Sequence, residues 1–138
     1  MMITAMSSWW LVPYVAKALA RGEILYAKHF LDEGLRTQLM SMLTWVFGIR
    51  TNFNRNPGKI GKHFQEILAP NNWSRLLETY SRADPYDTWK GLLEMCDLFR
   101  EFVHEVADKY GFEYPHQDDS RVTKHLLEIH DLCIGDEI

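Results

Sequence analysis

From Asp84 to Gly111 the chain reads as one long helix. Asp84 is an N-cap residue, Pro85 takes the first helical position, and Gly111 supplies a left-handed stop. Between them Trp89, Leu92, Leu93, Cys96, Phe99, Val103, Val106 and Tyr110 recur mostly three or four apart and share one face. A helix this long holds together only if that face is covered. The rest of the sequence offers more helices to cover it. No alternating apolar and polar run bounded by hairpin turns occurs.

A first helix is expected from about Ser8 to Arg21, capped by Ser7 or Ser8 and broken at Gly22. Pro13 is tolerable only near its first turn. A second runs from about Glu23 to Phe47, with Ile24, Leu31, Leu35, Leu39, Met42, Leu43 and Val46 in one stripe and Gly48 as C-cap. Arg50 to Gly61 is a loop containing Asn56-Pro57-Gly58. A short helix from Lys62 to Leu68 is stopped by Pro70, and Asn72 caps the next, which carries Trp73, Leu76, Leu77 and Tyr80. After Pro115, Asp118 or Asp119 caps a last helix with Val122, Leu126, Ile129 and Leu132. The expected fold is all-α, a bundle of five or six helices in a single domain over residues 1–138, structured from about 8 to 133. With 46% hydrophobic residues in 138, one core is within reach.

Fifteen basic against nineteen acidic residues leave a net charge of −4, which argues against a nucleic-acid partner. Cys96 and Cys133 make no disulfide framework and are expected as reduced thiols in a cytoplasmic protein. Trp9 to Val12 followed by Ala18-Leu19-Ala20 imitates a signal peptide. However, no Lys or Arg precedes the apolar run, and Pro13 and Lys17 interrupt it. No stretch approaches the roughly 18 apolar residues that a membrane span needs.

Few patterns carry chemistry. His104-Glu105 opens like a zinc-protease helix, but Asp108 stands where the second His belongs, so no metal site is assigned. Arg100/His104 and Arg121/His125 are each four apart, one short of the minimum spacing in HEPN-type helical RNases. The loop from Arg50 to Lys62 carries Arg50, Arg55, Lys59 and Lys62 without one acid and suits an anion such as a nucleotide phosphate. Lys17 is a lone cation in an apolar, aromatic segment. Such a lysine either snorkels or aims a point charge at a phosphate.

The string Trp9-Trp10-x-x-x-Tyr14-Val15-Ala16-Lys17-x-Leu19-x-Arg21-x-Glu23-Ile24-Leu25 resembles the start of the helical C-terminal half of the aminoglycoside 6-adenylyltransferases, also called streptomycin adenylyltransferases. Trp45-x-x-Gly48-Ile49, Gly58-Lys59, Trp73-x-x-Leu76-Leu77-x-x-Tyr80, Leu98-Phe99-Arg100, Tyr114-Pro115 and Val122-Thr123-Lys124 continue it in order. The family's other half is a nucleotidyltransferase domain with a Gly-Ser motif and paired Asp residues that hold magnesium. Neither a Gly-Ser dipeptide nor acidic residues at i and i+2 occur here. The resemblance therefore implies a helical domain without its nucleotidyltransferase half. It would contribute to aminoglycoside and nucleotide binding in AMP transfer from ATP, without catalysing alone. Tyr14 and Lys17 carry over as nucleotide contacts. Glu23, Asp84 and Asp87 are chosen for the drug because carboxylates suit ammonium groups. ATP and magnesium enter only with a catalytic domain. The expected partners are a second copy or a separate nucleotidyltransferase chain, and an aminoglycoside. The alternatives are a non-enzymatic oligomerising or ligand-binding module and a HEPN-like RNase.

Overall fold

The computed structural model describes the backbone of residues 2–135 and the side chains of residues 10–132. These residues form an all-α bundle of six helices: α1 (Met2–Ala20), α2 (Ile24–His29), α3 (Arg36–Arg50), α4 (Pro70–Glu78), α5 (Pro85–Tyr110) and α6 (His116–Gly135). No helix among them is long and apolar enough to cross a membrane. In the core, α5 packs on α3 and α4, while α1 packs on α6, α2 and α5. Trp89, Leu92, Leu98 and Phe102 of α5 are buried in the same apolar core as Leu39, Leu43 and Phe47 of α3.

The long helix forms as the sequence requires. The Asp84 carboxylate accepts a hydrogen bond from the Asp87 N–H at 3.1 Å, and Gly111 ends the helix at φ 74°. Burial pushes the Cys96 thiol on this helix up to about 12, so it stays protonated and inert. The side chains of Trp9 and Cys133 lie outside the described residues.

Helix α1 begins at Met2, not near Ser8, so Pro13 lies deep inside it and not in its first turn. A proline there costs about 3 kcal/mol. Val12, Val15, Ala16 and Leu19 are nearly inaccessible on the same helix. Fully burying one such large side chain contributes about 1.5–3 kcal/mol, so this face outweighs the proline.

The second segment is one continuous run, but Phe30–Leu35 is a π-helical turn joining α2 to α3, closed by the Arg36 N–H on the Leu31 carbonyl. A π turn holds more residues than an α turn. Leu31 and Leu35, four apart, thus fall nearly in line and are both buried. Gly48 is not the C-cap. It lies buried inside α3, where a Cβ would overlap the Phe53 ring.

The expected short helix from Lys62 to Leu68 is instead two single 3₁₀ turns, Lys59–Gly61 and Phe64–Glu66. Gly61 at φ 69° interrupts the chain, and the buried ring of Phe64 pins it to the core. Pro70 starts α4 at its first position and Ala69 is the N-cap, so Asn72 lies inside the helix. Likewise α6 starts at His116 and not at an Asp118 or Asp119 cap; Asp119 turns inward and is buried.

Candidate functional site

A cleft of about 540 Å³ separates the π turn and α3 from the loop that follows α3. Asp32, Arg36, Met40 and Thr44, each four residues from the last, line one wall. Pro57, Gly58, Ile60 and Gly61 form the other, with Phe64 and Tyr80 completing the lining.

Arg36 is the central side chain of the cleft. It is only 8% exposed. Its Nη1 donates to Thr79 Oγ1 at 2.8 Å and its Nη2 to the Thr79 carbonyl at 2.9 Å. Its guanidinium lies 3.6 Å from the centre of the Tyr80 ring. Its buried Nε has no hydrogen-bond partner among the described residues. Asp32 is shared between two cations, 3.4 Å from Arg36 and 3.3 Å from Lys28. Lys28 also donates to the Ser81 carbonyl at 2.8 Å, which fixes the turn after α4. Within the lining itself Asp32 and Arg36 offset each other, and Lys28 lies behind the wall.

The loop is shaped by its own residues. Asn56 Oδ1 accepts from the Gly58 N–H at 2.8 Å, and Gly58 and Gly61 take φ 82° and 69°. Ile60 sits at φ 56° with 83% of its surface exposed. A β-branched residue there is strained by about 1–3 kcal/mol.

Although acid-free in sequence, the loop meets acids from elsewhere in the fold. Arg50 makes a bidentate pair with Glu105 at 2.7 and 3.0 Å, and Arg55 pairs with Glu66 at 2.9 Å. Lys59 and Lys62 are exposed and have no ion pair among the described residues. They interleave with the loop residues that line the cleft.

The remaining residues singled out in the sequence are not gathered here. Tyr14 and Lys17 share the exposed face of α1, and neither lines the cleft. The Tyr14 ring stacks on Phe30 at 5.8 Å. Glu23 lies between α1 and α2, 3.9 Å from Arg21. Asp84 and Asp87 stand together at the start of α5 but share Arg82, at 3.7 and 2.6 Å. The hydrogen bond from Arg82 holds the Asp87 carboxyl below the usual carboxylate range.

The first of the two Arg/His pairs is absorbed by packing. Arg100 is bound to Asp119, Asp97 and Thr123, and His104 lies 4.2 Å from the Tyr114 ring. The second, Arg121/His125, lines a separate, smaller cleft against α1. Among the described residues no three His, Cys, Asp or Glu side chains are grouped to hold a metal.

Arg36, Asp32, Thr79 and Tyr80 escape a reading by periodicity. The available signal was a charge in the wrong place: Arg36 follows Leu35 inside an apolar stripe, four after Asp32. Tyr80 follows the apolar spacing of Trp73, Leu76 and Leu77, yet it lies beyond the end of α4 and is 57% exposed.

Comparison with known proteins gives one consistent result. The sequence model of the family described as streptomycin adenylyltransferase matches residues 4–129. An aminoglycoside 6-adenylyltransferase of Bacillus subtilis (strain 168) is 32% identical over 122 residues, 88% of this chain and 43% of that protein. One from Campylobacter jejuni is 32% identical over 119 residues, 86% of this chain and 41% of that protein. The crystal structure of an aminoglycoside 6-adenyltransferase from Bacillus subtilis superposes with a TM-score of 0.78 at 30% identity, covering 92% of this chain and 48% of that one. The chain thus spans less than half the length of each.

Proposed function

The chain belongs to the streptomycin adenylyltransferase family, and from that premise we propose that it is the helical, ligand-presenting half of an enzyme moving AMP from ATP to an aminoglycoside hydroxyl. In this reading it corresponds to the C-terminal half of its relatives. In such a transfer the hydroxyl oxygen bonds to the α-phosphorus, and the bond to pyrophosphate breaks. Magnesium, where bound, would neutralise the phosphate charge. A nucleotidyltransferase unit would supply the carboxylates that hold the metal.

The observation that carries this reading is the cleft, where the buried Arg36, with a donor to spare, faces a loop carrying Lys59 and Lys62. Lys59 and Lys62 offset the charge of the nucleotide's outer phosphates, and Tyr80 presents an aromatic face to its base. The free Nε of Arg36 leaves a donor beside the cleft, and a buried donor without a partner costs about 1–3 kcal/mol. Glu23, Asp84 and Asp87 are the proposed drug contacts. They are surface charges worth roughly 0–1 kcal/mol each, and Asp84 and Asp87 must first yield Arg82. Tyr14 and Lys17 give a second reading of the nucleotide site, favoured by Lys17 having no ion pair among the described residues. The same face supports a protein partner, because Trp10 and Tyr14 are 68% and 52% exposed there. That partner is the nucleotidyltransferase unit, or a second copy of this chain.

Binding of ATP to the chain tests where the nucleotide lies. Lys59→Met with Lys62→Met is expected to weaken binding about fivefold to tenfold, through two partly exposed charge contacts. Lys17→Met is expected to leave it unchanged in calorimetry. The opposite pattern moves the nucleotide to the α1 face.

A further inference from the structure

A second cleft, of about 270 Å³, lies between α1 and α6. Trp10 and Pro13 form one side, while Asp118, Arg121, Val122 and His125 form the other. Among the described residues it shares none with the larger cleft. We propose that it is a binding site for a small planar aromatic anion carrying a single charge, such as an aromatic carboxylate.

Three features fix the class of ligand. The first is the mainly apolar wall of indole, proline ring and Val122, which suits a flat ring; offset stacking on an indole contributes about 0.5–1.5 kcal/mol beyond area burial. The second is the pair Arg121 and His125, one helical turn apart on the exposed side of α6. Neither has a hydrogen bond or ion pair among the described residues, in a domain where most other arginines are paired. A guanidinium presents a planar fork that matches a carboxylate. The third is Asp118, one turn before Arg121 and also without a partner among the described residues. Its negative charge disfavours polyanions, which separates this cleft from any triphosphate site.

The volume suits two fused rings and not a nucleotide. A ligand of that size reaches a dissociation constant on the order of a millimolar.

Titration of the 138-residue chain with 2-naphthoate, followed by ¹H–¹⁵N NMR, tests the proposal. Saturable shifts are expected at the Trp10 indole N–H and at residues 118–125. Arg121→Gln is expected to weaken binding about tenfold, the loss of one charge-assisted pair. Trp10→Ala is expected to weaken it as well. Lys124→Gln, exposed on α6 but outside the cleft, leaves it unchanged. The neutral 2-naphthalenemethanol should bind several-fold more weakly than 2-naphthoate. Equal binding of acid and alcohol, an unaffected Arg121→Gln, shifts confined to the Arg36 cleft, or no saturation by 10 mM would each overturn the proposal.

Discussion

In an enzyme assembled from this chain and a nucleotidyltransferase unit, Lys59→Met with Lys62→Met is expected to slow AMP transfer about 100-fold. Charge builds on the leaving pyrophosphate as its bond to the α-phosphorus breaks. A cation placed beforehand at that position stabilises the transition state more than the bound substrate. In a closed site one such donor is commonly worth on the order of 100-fold. Both lysines ride on a loop tied by Asn56 to Gly58 and by Arg55 to Glu66, so their backbone is held before the nucleotide arrives. Methionine keeps much of the stem and deletes the charge, and since both side chains are exposed, the thermal midpoint should not move. Lys17→Met serves as the comparison. A rate unchanged by the loop pair and reduced by Lys17→Met would assign the phosphates to α1.

Asp119→Ala is expected to destabilise the fold by about 2–3 kcal/mol, lowering the thermal midpoint by roughly 10 °C. Asp119 is buried between α5 and α6 and serves three donors at once. Arg100 reaches it at 2.7 and 2.8 Å, the Tyr114 hydroxyl at 2.6 Å and Thr123 Oγ1 at 2.8 Å. Removing the carboxylate takes a short hydrogen-bond acceptor from both the Arg100 guanidinium and the buried Tyr114 phenol. Arg100 keeps some contact with water and with Asp97, which holds the loss below that of a fully buried pair. Asp118→Ala, one residue away, should cost less than about 0.5 kcal/mol.

The pH dependence follows from the same contacts. Burial pushes the Asp119 carboxyl up, but the hydrogen bonds from Arg100, Tyr114 and Thr123 outweigh it and hold the group below the usual range. A depressed folded value means the stabilisation is complete above the unfolded value of about 3.9 and is lost as pH falls through the folded one. The gap in midpoint between wild type and Asp119→Ala should be constant from pH 6 to 8 and shrink below about pH 4.

The elements whose ends are marked by local chemistry were legible in the sequence. Asp84, Pro85 and Gly111 delimit α5 because capping and left-handed φ are properties of single residues. The π turn was not legible, because a four-residue spacing of Leu31 and Leu35 is common to α and π geometry. Pro70 is ambiguous for a related reason: proline stops a helix behind it and starts one at its own position, and only the buried anchors on either side decide which. Asp119 has the local look of a cap, because its partner, Arg100, lies nineteen residues away on another helix. The cleft was half visible. Its basic loop stands out by composition, but the wall opposite depends on Arg36 reaching Thr79, forty-three residues on, and no local pattern encodes that contact.

Transfer of labelled AMP from ATP to streptomycin, with magnesium present, tests the central claim most directly. The homogeneous 138-residue chain, the part of the Bacillus subtilis relative that this chain does not cover, and the two mixed are the three samples. The expected result is transfer by the mixture alone, lost again when magnesium is chelated. Robust turnover by the 138-residue chain without the other half would contradict the account, as would a mixture that forms a stable complex yet transfers nothing.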